Sequence, residues 1–173
     1  MARSLGTLLA ERGIGLVYGG GGVGLMGEMA DAALAAGGKV TGVIPSGLFT
    51  REMAHVEVTE LIEVGSMHER KALMYDRSDA FIAMPGGFGT LDELCEVVTW
   101  TQLGVHAKPA VLLDVDGFWD PFVALLDKME QVGFMKKANR ELLGVVDTPA
   151  AALDHLSETV PTYVKKWITE GDR

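Results

Sequence analysis

The stretch from Pro85 to Glu93 constrains the fold most strongly, because it joins a glycine-rich turn to a helix start. Residues 79–84 before it form a short apolar run, typical of a buried parallel strand. A strand, a glycine turn and a helix in this order place the turn at the carboxyl edge of an α/β sheet, where such folds bind ligands. Glycine lets the backbone approach an anion closely, and a helix N-terminus offers unpaired amides. The turn is therefore a candidate phosphate site, with Glu93 one turn inside the helix.

Thr90 and Glu93 also have the spacing of a capping box. In that motif a threonine hydroxyl and a glutamate carboxylate satisfy two orphan amides at a helix start. The local spacing alone does not distinguish a purely structural cap from a ligand site at this stretch.

A second helix start carries the opposite charge. Ser66 and Glu69 again have capping-box spacing, but Arg70 and Lys71 follow at once. Cations in a first turn oppose the helix dipole by up to ~1 kcal/mol each, so their placement indicates an anion nearby. Arginine suits bidentate contact with phosphate or carboxylate, and lysine adds a point charge. A solvated charged turn is the structural alternative.

A second glycine-rich segment, Gly19–Gly27, contains a literal G-x-G-x-x-G match from Gly22 to Gly27. A dinucleotide fold also needs an acid about twenty residues on, to hold the ribose hydroxyls. The chain has Val40–Ser46 there, without an acid, so an NAD-dependent oxidoreductase is only a weak alternative. No phosphate-loop sequence of the NTPase type is present.

The pattern along the chain alternates between strands and helices, which predicts a parallel α/β sheet in a single domain over residues 1–173. The fold class we expect is a Rossmann-like, doubly wound parallel sheet flanked by helices. The predicted strands are 15–18, 39–44, 60–64, 80–84, 109–113 and 145–147. The predicted helices are 3–12, 24–36, 68–78, 90–103, 119–132, 137–142 and a last one from residue 149.

Composition narrows the class of protein. At 173 residues and 48% hydrophobic, the chain suffices for one well-buried core. A net charge of −9 argues against a nucleic-acid surface, since backbone phosphates attract clustered lysine and arginine. No apolar run approaches the roughly 20 residues that span a bilayer, and no signal peptide opens the chain. We therefore expect a cytoplasmic protein that binds neither nucleic acid nor membrane.

Neither the cysteine nor the histidines of this sequence indicate a nucleophile or a metal site. Cys95 stands among apolar residues, so we expect a core cysteine rather than a nucleophile. The histidines are His55, His68, His106 and His155, and they lack the spacing of metal ligands. We expect each to be a surface or loop histidine, with His68 alone close to the presumed site.

Together, these motifs resemble the LONELY GUY family of cytokinin riboside 5′-monophosphate phosphoribohydrolases, also described as "possible lysine decarboxylase". The resemblance runs through most of the chain. It rests on segments 18–21, 24–27, 42–45, 51–52, 67–71, 85–93, 96–104 and 108–109. The decarboxylase description has no chemical support here, because the sequence shows no lysine site with partners for a pyridoxal cofactor.

The resemblance implies hydrolysis of the N-glycosidic bond of a purine nucleoside 5′-monophosphate, with Arg70 and Glu93 as the catalytic pair. It implies no metal and no cofactor. It also implies a homodimer, with the apolar helix from Leu91 to Leu103 at the two-fold interface. Burial in the core alone is the alternative explanation for the apolar residues of this helix. The residues implied to contact the nucleotide are Glu52, Met67, Arg70, Lys71, Gly86, Gly87, Phe88, Gly89, Thr90, Glu93 and, less directly, Thr99.

The amino end departs from the family. Members begin with a strand that ends in a Cys-Gly-Ser type turn, whereas this chain opens inside the helix that follows it. The first strand of the sheet is therefore expected to be absent, which would expose neighbouring strand edges. A non-catalytic nucleotide-binding module of the same fold stays open as the alternative function.

Overall fold

The computed structural model describes residues 1–47 and 54–159. The chain divides into two compact units, Met1–Asp79 and Ala80–Arg173, and each contains its own three-stranded parallel sheet. Parallel strands joined through helices are the arrangement that the alternating pattern predicts. The predicted α/β fold class is thus confirmed, while the single domain over residues 1–173 stays a prediction.

The first unit has strand order β1-β2-β3, with all strands parallel. Its strands are β1 (Leu16–Tyr18), β2 (Val40–Pro45) and β3 (Glu60–Val64). Its helices are α1 (Ala2–Glu11), α2 (Gly24–Ala35) and α3 (Met67–Arg77). The middle strand β2 supplies the core, since Val40 and Val43 are both fully buried.

In the same unit, α1 and α2 pack closely because Gly6 has no side chain. A Cβ on Gly6 would overlap the backbone carbonyl oxygen of Met29 in α2. The glycine therefore sets how near the two helices can approach.

The second unit has strand order β4-β5-β6, again all parallel. Its strands are β4 (Phe81–Ala83), β5 (Ala110–Leu113) and β6 (Leu143–Val146). Its helices are α4 (Phe88–Leu103), α5 (Asp120–Gln131), α6 (Lys137–Arg140) and α7 (Pro149–Glu158). All four residues of β5 are buried, as expected for the central strand of a sheet that helices cover.

No helix in residues 1–47 and 54–159 is long and apolar enough to cross a membrane. Within the same ranges, no group of three or more histidine, cysteine or carboxylate side chains is placed to hold a metal ion.

Candidate functional site

The start of α3 is fixed by the predicted cap. Ser66 has extended backbone, and its Oγ accepts a hydrogen bond from the Glu69 amide at 3.1 Å. The Glu69 carboxylate in turn accepts from the amide of Gly65 at 2.7 Å, one residue before the position that a capping box predicts. The cap is thus confirmed, with its return bond shifted by one residue.

Arg70 and Lys71 follow this cap and are buried, at 7% and 9% exposure. The alternative of a solvated charged turn is therefore wrong. Taking a cation out of water is costly unless polar groups or counter-charges compensate it. Arg70 Nε donates to the carbonyl of Val43 in β2 at 3.1 Å.

The Arg70 guanidinium also lies against the glycine that follows β1. A Cβ on Gly19 would overlap Nη2 of Arg70, so only glycine leaves room for the guanidinium there. The arginine is thereby held between Gly19, which follows β1, and the backbone carbonyl of Val43. Met67, the first residue of α3, lies one turn earlier on the same helix and is 37% exposed.

The start of α4 differs from the prediction. The helix begins at Phe88 with Gly87 as its N-cap, and a glycine has no side chain that could cap this end. The Thr90–Glu93 capping box is therefore wrong, because Thr90 is already the third helical residue. Its hydroxyl instead folds back over Gly86, where a Cβ would overlap it.

This geometry leaves an open helix N-terminus. The first intrahelical bond runs from the amide of Leu91 to the carbonyl of Gly87 at 3.1 Å. The amides of Phe88, Gly89 and Thr90 precede it and have no acceptor within the helix. A Cβ on Gly87 or Gly89 would meet nothing within 4 Å, so there is open space around the backbone. This end of α4 can receive an anion such as phosphate.

Glu93 and Thr99 lie further along α4. Glu93 is half-buried and makes contacts within the protein, whereas Thr99 is exposed. Six residues separate them, which places their side chains roughly 120° apart around the helix. The structure therefore does not bring Thr99 to the face that Glu93 occupies.

The predicted site residues thus fall into two groups. Met67, Arg70 and Lys71 lie on α3 in the first unit, and the segment from Gly86 to Glu93 lies in the second. That Arg70 and Glu93 face one pocket stays a prediction. Glu52 lies outside the described residues.

Sequence reasoning missed a histidine in the first unit. His55 is buried at 9% exposure, and its Nε2 lies 2.8 Å from Oδ1 of Asp31 in α2. His55 lies in a loop, as expected, but it is buried rather than on the surface, because a partner 24 residues away holds its ring. His68 is exposed on α3, as expected.

Cys95 also differs from expectation, because its side chain is exposed on α4 rather than part of the core. Partial desolvation raises the pKa of the Cys95 thiol, and the nearby Asp92 carboxylate raises it further. A raised pKa keeps the thiol protonated, which disfavours nucleophilic chemistry.

Tyr18, the last residue of β1, is buried, and among the described residues its hydroxyl has no hydrogen-bond partner. Burial raises the pKa of Tyr18 to about 12, with the Asp31 carboxylate as a second cause.

Parallel sheets flanked by helices, with a glycine turn at a helix N-terminus, define an α/β protein of the Rossmann type. Residues 26–156 match the family model described as "Possible lysine decarboxylase". The chain belongs to this family, which includes the LONELY GUY phosphoribohydrolases.

Two rice proteins (Oryza sativa subsp. japonica) illustrate the similarity. The cytokinin riboside 5′-monophosphate phosphoribohydrolase LOG is 49% identical over 162 residues, which cover 94% of this chain and 67% of LOG. The probable phosphoribohydrolase LOGL5 is 50% identical over 160 residues, which cover 92% of this chain and 65% of LOGL5. The chain thus spans about two thirds of the length of these relatives.

One solved structure has a similar fold but belongs to a protein with a different functional name. The molybdenum cofactor carrier protein from Chlamydomonas reinhardtii superposes with a TM-score of 0.67 at 27% identity. The match covers 92% of this chain and 87% of the carrier. The fold is therefore shared by proteins with enzymatic and with carrier names.

Proposed function

We propose that this protein hydrolyses the N-glycosidic bond of purine nucleoside 5′-monophosphates, including AMP and cytokinin-type nucleotides, to free base and ribose 5-phosphate. The observation that carries the proposal is the buried Arg70, held against Gly19 and the Val43 carbonyl. Relatives about 50% identical to the chain carry the phosphoribohydrolase name.

In the proposed reaction, a water oxygen forms the new bond to the anomeric carbon of ribose. The ribosyl–nitrogen bond breaks, its electron pair leaves with the base, and the base gains the one proton that the attacking water gives up. The transition state has oxocarbenium character, so a carboxylate near the anomeric carbon stabilises it, as in glycosidases. Glu93 supplies that carboxylate.

The remaining residues bind and orient the nucleotide. Arg70 holds the phosphate or ribose, which converts binding energy into orientation of the bond to be broken. The amides of Phe88, Gly89 and Thr90 at the start of α4 receive the phosphate. Glu52, Met67, Lys71, Gly86 and Gly87 complete the proposed contacts, whereas Thr99 is left out because it lies on another face of α4 than Glu93. A cytoplasmic homodimer is part of the same proposal.

A non-catalytic carrier is the second candidate function. The similarity to the molybdenum cofactor carrier protein favours it, because that protein has the same fold and a carrier name. Such a module would use the helix N-terminus of α4 without needing the Glu93 carboxylate.

Incubation of the purified protein with AMP separates the two functions. A phosphoribohydrolase releases adenine and ribose 5-phosphate in equal amounts, which chromatography detects. Adenosine is the matched control, because it has the same glycosidic bond without the phosphate and should react far more slowly. Recovery of bound, unchanged AMP would contradict the hydrolase and support the carrier.

A further inference from the structure

The hydrogen-bonded pair of His55 and Asp31 joins two segments of the first unit. Asp31 lies in α2, the helix that follows the glycine turn Gly19–Gly22. Its side chain is 63% exposed, whereas the His55 ring is buried, with 2.8 Å between Nε2 and Oδ1. The carboxylate therefore fixes the orientation of a ring that is otherwise enclosed by the protein.

The backbone around His55 holds the glycine turn directly. The His55 amide donates to the carbonyl of Gly20 at 2.9 Å, and Ala54 pairs with Gly21 in an isolated antiparallel bridge. Gly22 lies beside His55, and a Cβ on Gly22 would make an ordinary contact with the His55 Cα, at 3.5 Å. Three successive glycines of the turn thus contact the segment that His55 anchors.

The same turn also meets Arg70, at Gly19. Gly19 leaves room for the guanidinium, and Arg70 Nε bonds to the Val43 carbonyl. Gly20, with φ of 74°, packs on the same Val43 backbone, where a Cβ would lie 3.4 Å from the carbonyl oxygen. A displacement of the turn would therefore change the space available to the guanidinium.

We propose that His55, oriented by Asp31, is a positioning residue that acts on Arg70 through the glycine turn Gly19–Gly22. Packed elements transmit small shifts, and misplacement of a binding group by about 1 Å can lower a rate ~100-fold. The functional part of the inference rests on the proposed function, because Arg70 must bind the nucleotide for its position to matter.

The first arm of the test needs no ligand. Hydrogen exchange of the Arg70 side-chain Nε–H, followed by ¹⁵N NMR, reports its bond to the Val43 carbonyl. We expect exchange to accelerate at least ~10-fold in His55→Ala and in Asp31→Leu. Asp31→Asn retains an oxygen acceptor for the ring and should restore slow exchange. Because Asp31 is largely exposed, its variants test the idea even where His55→Ala folds poorly.

A matched control separates positioning from general destabilisation. Thr148 caps α7 in the second unit, where its hydroxyl accepts from the Ala151 amide at 3.3 Å. Thr148→Ala should lower the melting temperature without changing Arg70 Nε–H exchange. Unchanged exchange in Asp31→Leu and His55→Ala would overturn the proposal, as would equal acceleration in Thr148→Ala.

The second arm is a double-mutant cycle on the Kd for AMP, measured by calorimetry. His55→Ala should weaken binding about 10-fold in the parent protein and less than about twofold in Arg70→Ala, because coupled residues are non-additive. If His55→Ala weakened AMP binding by the same factor in the parent protein and in Arg70→Ala, the proposal that His55 positions Arg70 would be overturned. If the parent releases no adenine from AMP, the proposed hydrolysis fails, whereas the exchange measurement still decides whether His55 positions Arg70.

Discussion

The guanidinium of Arg70 fills the space beside Gly19 that a side chain at residue 19 would need, because a Cβ there would overlap Nη2 of the arginine. The overlap involves the far end of a flexible side chain rather than backbone. A methyl group at residue 19 would therefore displace the guanidinium while leaving β1 and α3 in place.

Gly19→Ala should accordingly lower the affinity for AMP about 10-fold, roughly the loss of one charge-assisted contact. The melting temperature should change little. Gly22→Ala is the matched control, since the nearest atom to its Cβ is 3.5 Å away, an ordinary contact. Calorimetric Kd values for the two variants check the prediction, and equal affinities would contradict it.

Arg70→Ala should weaken the binding of AMP much more than that of adenosine or adenine, because the arginine is proposed to hold phosphate or phosphoribose. The Val43 carbonyl also loses its donor, so we expect about 1 kcal/mol less stability. Kd values for the three ligands give the comparison. Equal losses for all three would assign Arg70 a structural role.

The overall pattern of elements could be predicted from the sequence, because apolar strands alternate with helices and glycines separate them. Each predicted strand and helix is found, with ends that differ by a few residues. The start of α4 could not be predicted, since Gly87 takes the N-cap without any side-chain bond that the sequence would reveal. Capping-box spacing alone therefore misplaced the helix start at Thr90.

Burial was harder to predict than secondary structure. Nothing near His55 in the sequence reveals Asp31 as its partner, because the two meet only through the fold. Cys95 has apolar neighbours in sequence, yet its position around the α4 helix leaves it exposed. The first-turn position of Arg70 and Lys71 indicated an anion nearby, but their burial was found only in the structure.

Gly6→Ala should destabilise the fold by about 1–3 kcal/mol, because the new methyl group would overlap a backbone carbonyl that cannot move without α2. Gly15→Ala is the control, since the nearest atom to its Cβ is 3.9 Å away. Urea unfolding of the two variants measures the difference. Equal midpoints would show that α1 and α2 separate at little cost.

Tyr18 should make stability fall at alkaline pH. The folded-state pKa of about 12 exceeds the ordinary value of 10, so the folded protein holds the proton more tightly than the unfolded chain. The contribution that protonated Tyr18 makes to the free energy of unfolding is therefore fully present below pH 10, and it is lost as the pH rises towards 12. Tyr18→Phe should remove this part of the pH dependence.

At pH 7 the same Tyr18→Phe variant should be at least as stable as the parent, because it deletes a buried hydroxyl that has no partner among the described residues. Urea unfolding from pH 7 to pH 11 checks both statements. An identical alkaline slope in the two proteins would show that Tyr18 does not cause it.

The most direct test of the proposed hydrolysis is the turnover of AMP by Glu93→Gln. Glutamine retains the size of the side chain on α4 and removes the negative charge that would stabilise the oxocarbenium-like transition state. We predict that kcat falls at least ~1000-fold while the Kd for AMP changes less than about threefold. Release of adenine at the parent rate would contradict the assignment of Glu93 and the mechanism built on it.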